Sequence, residues 1–421
     1  MNKQKHVGAV NAKVQDADQP KLPFAFSIAM FLAPLCWYGP AASARGTLLP
    51  QLFSQIDPSR KIWAVGILGA VATITGAITN FLFGAMSDVN RSRFGQRKPY
   101  IVVGTLIMAL SLVIVANLRS VIAIIFVWVL VSGGENIVAA AIYPQISDRV
   151  APRWRGTLST FYGVGMTAAQ QGFAILAAQF LGNVKYGLYT LAAISVVLCL
   201  VHVLLADEQS NLDQPKIKFD KEAILKYFTF PTKGARDFYL ALTGKFFMIV
   251  GYMIVFTYLL YIFTDYIHLS SGRAGESISI YSTISLVVGV FFAAVAGPIA
   301  DKMKRVKLPI IIATVILAIA PLFPMLVVKP WAMFAYAGLA AVGNGVYNSV
   351  DGALNLDVLP SSDTAGKDLG LINLANTFSQ MLAAIIASII VSAFGFGAIF
   401  YFAIGMEIVA IVLMGSIKSV R

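Results

Sequence analysis

The chain has 421 residues, of which 58% are hydrophobic and 12% charged, with a mean hydropathy of +0.77. Ordinary soluble domains carry about 25% charged residues, so a water-soluble fold is excluded. The formal net charge of +12 has to be tested against membrane topology before it is read as a nucleic-acid signal, because basic loops stay on the cytoplasmic side of a bilayer.

Residues 1–23 are polar and carry Lys3, Lys5, Lys13 and Lys21. They lack the short apolar core and cleavage site of a secretory signal, so a cytoplasmic tail is expected. A helix needs about 20 apolar residues to cross a bilayer. Twelve such runs follow, at residues 24–46, 62–83, 100–118, 121–143, 158–181, 186–205, 243–265, 277–299, 308–328, 331–354, 369–394 and 396–416. The longest polar stretch between them, Asp207 to Asp237, contains Pro215, Pro231 and six basic residues. It divides the chain into a first bundle at 24–206, a cytoplasmic linker at 207–240 and a second bundle at 241–417. The expected fold is therefore an all-α membrane protein with twelve transmembrane helices in two six-helix bundles.

With the N-terminus inside, the tails and inner loops hold 24 of the 32 Lys and Arg residues and the outer loops six, while Arg45 and Lys245 fall within spans. That bias accounts for the net charge, orients both termini to the cytoplasm and leaves no call for a nucleic-acid partner. The expected setting is a cell membrane, a bacterial plasma membrane by preference, with a monomer in the lipid bilayer.

The halves repeat a local pattern. Gly84-Ala-Met-Ser-Asp88 closes the second span and Gly297-Pro-Ile-Ala-Asp301 the eighth, each followed by basic residues, at an offset of 213. Asp148-Arg-Val-Ala-Pro152 after the fourth span has a shifted partner in Asp357-Val-Leu-Pro360 after the tenth. An internal duplication gives such an offset, which makes the bundles pseudo-symmetric, and transporters built this way bind substrate near the midplane between the repeats.

The stretch from Gly84 through Asp88 to Gly95-Gln-Arg-Lys98 resembles the loop between helices two and three of the major facilitator superfamily: a glycine, an aspartate, then a basic cluster. The run Ser92-Arg-Phe-Gly-Gln-Arg-Lys-Pro-Tyr100, and Asp357-Val-Leu-Pro followed by Ala365-Gly-Lys-Asp-Leu-Gly370, are similar to the branch of sucrose-proton symporters and glycoside, pentoside and hexuronide transporters. The resemblance implies the major facilitator fold, alternating access, and a latch on the cytoplasmic side at Asp88, Arg97 and Lys98, with Asp301 as the repeat equivalent of Asp88. The fifth span lacks the glycine- and proline-rich pattern of many drug-proton antiporters in that superfamily, which favours uptake.

Ionisable groups inside a membrane are costly and usually face a hydrated cavity or a partner. Glu135 lies about 14 residues, or about 21 Å, from the outer end of the fourth span, and is the leading candidate for proton coupling or substrate binding. Asp351 is the second coupling candidate, with Lys245 as its possible partner. Asn344, Asn348 and Asp351 share one face of the tenth span, and Asn373, Asn376 and Gln380 one face of the eleventh. Carboxamides both donate and accept hydrogen bonds, which suits a polyhydroxylated ligand; the competing reading is interhelical glue. Tyr258, Tyr261 and Asp265 share a face of the seventh span, Tyr162 and Gln170 one of the fifth. With Tyr38 of the first span they complete the candidate substrate wall, although tyrosine also anchors helices at interfaces. Arg45 and Asp265 both sit near the outer ends of their spans, and an outer-gate pair between them is expected.

Cys36 and Cys199 occupy separate apolar spans and the three histidines are scattered, so neither a metal nor a cofactor is implied. No phosphate-binding loop is present, so an ion gradient, proton in preference to sodium, is the expected energy source. The leading reading is proton-coupled uptake of a small polar solute such as a sugar or glycoside. Efflux of drugs, lipids or metabolites is the alternative within the fold, and a non-transporting sensor or membrane enzyme the alternative outside it.

Overall fold

The structure, a computed structural model, describes Val14, Asp16, Pro231 and residues 19–206, 208–212, 235–303, 305–359 and 365–418; at 301, 356, 365–370, 373 and 374 it describes the backbone alone. Within these residues the chain is helical, with no strand.

Ten helices are long and apolar enough to cross a membrane. The other two long helices, Pro152–Ala178 and Pro330–Asp357, occupy the fifth and tenth positions of the expected twelve. Their lengths of 27 and 28 residues suffice for a span, but Arg153, Arg155, Gln170 and Gln171 in one and Asn344, Asn348, Asp351 and Asn355 in the other lower their apolarity.

Several helices outrun the apolar runs that announce them. The second, Lys61–Asp88, has 28 residues, so at 1.5 Å each it is longer than the ~30 Å hydrocarbon layer and carries Asp88 beyond it. The seventh starts at Arg236 rather than at residue 243, with Asp237 in its first turn where the helix dipole favours an acid. The face that receives Asp88, Lys98, Arg149 and Arg236 is called here the basic face.

The first span, Phe24–Ile56, contains Pro34 and Pro40 and changes to a π turn at Ala44–Leu48. The seventh is interrupted after Thr257 and also carries a π turn, at Ile262–Tyr266. Each half thus opens with a helix that is irregular near the face opposite the basic one. Such turns recur at functional sites because they rotate side chains out of the regular helical register.

The packing repeats as the sequence does. The first span lies against the fifth and sixth, the second against the fourth, and the third against the fourth and sixth. Adding six to every number gives the packing of the second half. The halves meet along two seams, second against eleventh and fifth against eighth, which the same operation exchanges. Inside a half the backbones approach closely: a Cβ on Gly134 would lie 2.5 Å from the Gly104 carbonyl oxygen. With lipid as solvent, such contacts through small residues supply the dispersion energy that holds helices together.

Candidate functional site

A cavity of about 960 Å³ lies between the first, second, fourth, fifth, seventh and eleventh spans. The second span supplies its longest wall through Gly69, Thr73, Gly76, Asn80, Gly84 and Asp88, which recur every three or four residues and so share one helical face. Small residues there leave the volume open, and Thr73 and Asn80 make the wall polar. Asn136 from the fourth span and Asn376 and Gln380 from the eleventh face the same space.

Apart from Asp88 at its mouth, charge enters this lining as a pair. Arg45, within the π turn of the first span, reaches Glu135 of the fourth, Nη1 to Oε2 at 3.7 Å, and both line the cavity. Glu135 is 6% exposed at its side chain and Arg45 31%, so the arginine is the more open of the two. A carboxylate paired this way is compensated in a site where it would otherwise be very costly.

The cavity opens toward the basic face. Its lining runs down to Asp88 and Leu371, and the Asp88 side chain is 61% exposed. The opposite face is shut by contacts between the halves. Tyr258 donates its hydroxyl to the Ile62 carbonyl at 2.9 Å, and Tyr261 to the Pro50 carbonyl at 2.8 Å. Lys61 forms an ion pair with Asp265 and lies 4.9 Å above the Tyr261 ring. Gln51 donates to Ser271 at 3.2 Å.

At the basic face Arg97 gathers the ends of three helices. Its Nη2 lies 2.6 Å from Asp88 and 3.0 Å from Asp148, and its Nη1 donates to Ser87 at 2.5 Å. The Arg97 side chain is buried while Asp88 is exposed, and all four residues belong to the first half.

Of the residues singled out from the sequence, Tyr38, Arg45, Asp88, Glu135, Gln170, Asn376 and Gln380 line the cavity. Others stand elsewhere. The expected Arg45–Asp265 pair is replaced by Arg45–Glu135 and Lys61–Asp265, because Arg45 projects from its π turn toward the fourth span of its own half while Lys61 starts the second span beside the seventh. Tyr258 and Tyr261 are buried in the closure, not placed on the cavity wall, since their hydroxyls satisfy backbone carbonyls across the seam. Tyr162 packs edge-on against Tyr143, with ring centres 5.3 Å apart. Asn344 bonds back to the Ala340 carbonyl of its own helix, and Asn348 is outside this cavity's lining. Asp351 accepts from Lys245 at 2.5 Å and from Asn355 at 2.9 Å. The side chains of Asp301 and Asn373 lie outside the described residues.

Lys61, Thr73, Asn80 and Asn136 were missed. The spacing of Thr73 and Asn80 among small residues was a usable signal; Lys61 sits at a span boundary and reads as an ordinary anchor. Among the described residues, no cluster of His, Cys, Asp and Glu could hold a metal ion.

The sequence matches the Major Facilitator Superfamily over residues 24–275 and again over 241–418. No curated protein matches it in sequence. Solved structures that share its fold include three transporters. The nucleoside transporter NupG, in a mutant form, gives a TM-score of 0.70 at 16% identity over 94% of this chain and 100% of its own. A D-xylose-proton symporter gives 0.72 at 16% identity over 94% and 97%. A bacterial homologue of the human lysosomal transporter Spinster, inward-facing and unoccupied, gives 0.66 at 14% identity over 94% of each chain. With the long helices of the described residues packed as two equivalent sets around a central cavity, the chain belongs to the Major Facilitator Superfamily and is a secondary transporter, not an enzyme.

Proposed function

We propose that this transporter takes up a small, uncharged, hydroxyl-rich solute, a sugar or glycoside, together with a proton. The observation that carries the reading is the cavity lining: neutral amides and hydroxyls from both halves around one compensated Arg45–Glu135 pair. A neutral polyol satisfies Asn80, Asn136, Asn376 and Gln380 as donor and acceptor at once. A charged solute would leave the existing pair with a surplus charge in a low-dielectric site. The nucleoside and D-xylose of the transporters with the same fold are likewise hydroxyl-bearing solutes.

Glu135 is the coupling acid in this scheme and Arg45 its switch. Protonation of Glu135 loosens the pair, the partly exposed Arg45 guanidinium turns to the open side of the cavity, and the neutral acid then meets the solute. The basic face is the cytoplasmic one, because basic loops are retained inside. The conformation described is therefore open inward, and Asp88, Arg97 and Lys98 belong to the gate that shuts that face in the other half of the cycle. Asp351, paired with Lys245, is the reserve acid.

Counterflow in proteoliposomes against a panel of labelled sugars and glycosides, with and without an imposed pH gradient, tests this reading. Exchange of a neutral sugar, accelerated into accumulation by an inward proton gradient, is the expected result. Exchange confined to apolar or charged compounds would sink it.

A further inference from the structure

The third span, Lys98–Val115, begins at the basic face without a side-chain cap of its own. Its first amides are taken by a residue far along the chain. The Glu208 carboxylate accepts from the Arg97 N–H at 3.0 Å and from the Lys98 N–H at 2.7 Å. Three residues on, Asn211 accepts from the Ser92 N–H at 2.8 Å, donates to the Asn90 carbonyl at 2.7 Å, and gives its own N–H to the Ser92 carbonyl at 3.3 Å. The start of the interbundle linker is thus pegged onto the loop that carries Arg97.

Gly95 makes the seat for this peg. Its φ of 97° is in the region that favours glycine, and a Cβ there would run into the Glu208 side chain. A carboxylate on the open amides of a helix start satisfies donors that otherwise have no intrahelical partner and complements the dipole.

We propose that Glu208, with Asn211, is a positioning residue for Arg97. By fixing the backbone at Arg97 and Lys98 from outside the loop, it holds the guanidinium where it reaches Asp88 and Asp148 together. The second, third and fourth span ends then move as one body when the basic face closes. This rests on the reading of Asp88 and Arg97 as part of that gate.

The test combines two readouts on the full-length protein in Glu208→Ala and Glu208→Gln. Hydrogen exchange of the peptide containing Arg97 and Lys98 should speed up about tenfold in the alanine variant, the scale of losing charge-assisted bonds to a helix start. The saturating counterflow rate should fall about fivefold with half-saturation unchanged, since neither Glu208 nor the Arg97 and Lys98 amides it binds line the cavity, and glutamine, which keeps one acceptor, should lie between. Unchanged amide exchange overturns the peg; faster exchange with unaltered transport overturns its positioning role. If Glu208→Ala fails to fold, Asn211→Ala carries the same two readouts. If the parent protein moves no solute in the panel, the proposed function fails while the exchange result still decides the peg.

Discussion

Arg45 and Glu135 confront each other across the first and fourth spans, the acid buried and the arginine partly open to the cavity. In the proposed scheme, removing the acid's ability to ionise separates energy coupling from recognition. Glu135→Gln is expected to abolish gradient-driven accumulation of the solute while sparing energy-independent exchange; accumulation at the parental level would move the coupling role to Asp351. Tyr261→Phe acts elsewhere, deleting one hydroxyl bond to the Pro50 carbonyl on the closed face. A neutral hydrogen bond is worth about 1 kcal/mol, so the form open at the basic face should lose about fivefold in population. Alkylation of a cysteine placed on the opposite face should rise accordingly, and an unchanged rate would remove Tyr261 from the closure. The reason the sequence could place Glu135 but not its partner is physical. Hydropathy gives depth along a span, and helical spacing gives a shared face, but neither gives the rotation that a π turn adds at Arg45.

Among the helices, the second does most to shape the site, presenting small and amide side chains to the cavity along its full length. Its first residue, Lys61, pairs with Asp265 of the seventh span, both about a quarter exposed or less. A pair so placed contributes about 1 kcal/mol. Either single neutralisation, Lys61→Ala or Asp265→Ala, should lower exchange severalfold, and the double reversal Lys61→Asp with Asp265→Lys should restore most of it. A reversal no better than the single variants would dissolve the pairing. Close backbone approach has its own test: Gly134→Val forces a side chain into the Gly104 carbonyl and should cost about 1–3 kcal/mol of stability, read as a lower melting temperature in detergent. The spans themselves were legible, because a bilayer demands long apolar runs and little else satisfies that demand. Their ends were less so: Lys61–Asp88 and the seventh helix continue past the hydrocarbon into regions where polar sequence no longer distinguishes helix from loop. On the tenth span periodicity places Asn344, Asn348 and Asp351 on one face, yet Asp351 is claimed by Lys245 and Asn344 by its own backbone, choices made by neighbours that periodicity does not see.

At the level of the whole molecule, the duplicated Gly-to-Asp motif at an offset of 213 agrees with the packing of the described residues, two equivalent sets of helices joined at two exchangeable seams. Two bodies related in that way have two equivalent ways to lean together, and the contacts described here define one: shut at Tyr258, Tyr261 and Lys61, open at Asp88. A solute that bridges residues of both halves most tightly in the form between the two leanings lowers the barrier between them, which is the physical content of alternating access. The most direct measurement is a pair of spin-label distances, Met86 to Lys302 across the basic face and Ser59 to Arg273 across the opposite one, all four side chains being exposed. Proton gradient and transported sugar together should shorten the first distance and lengthen the second in the same fraction of molecules. Two distances that change in the same sense, or a basic-face distance that never shortens, would contradict the account.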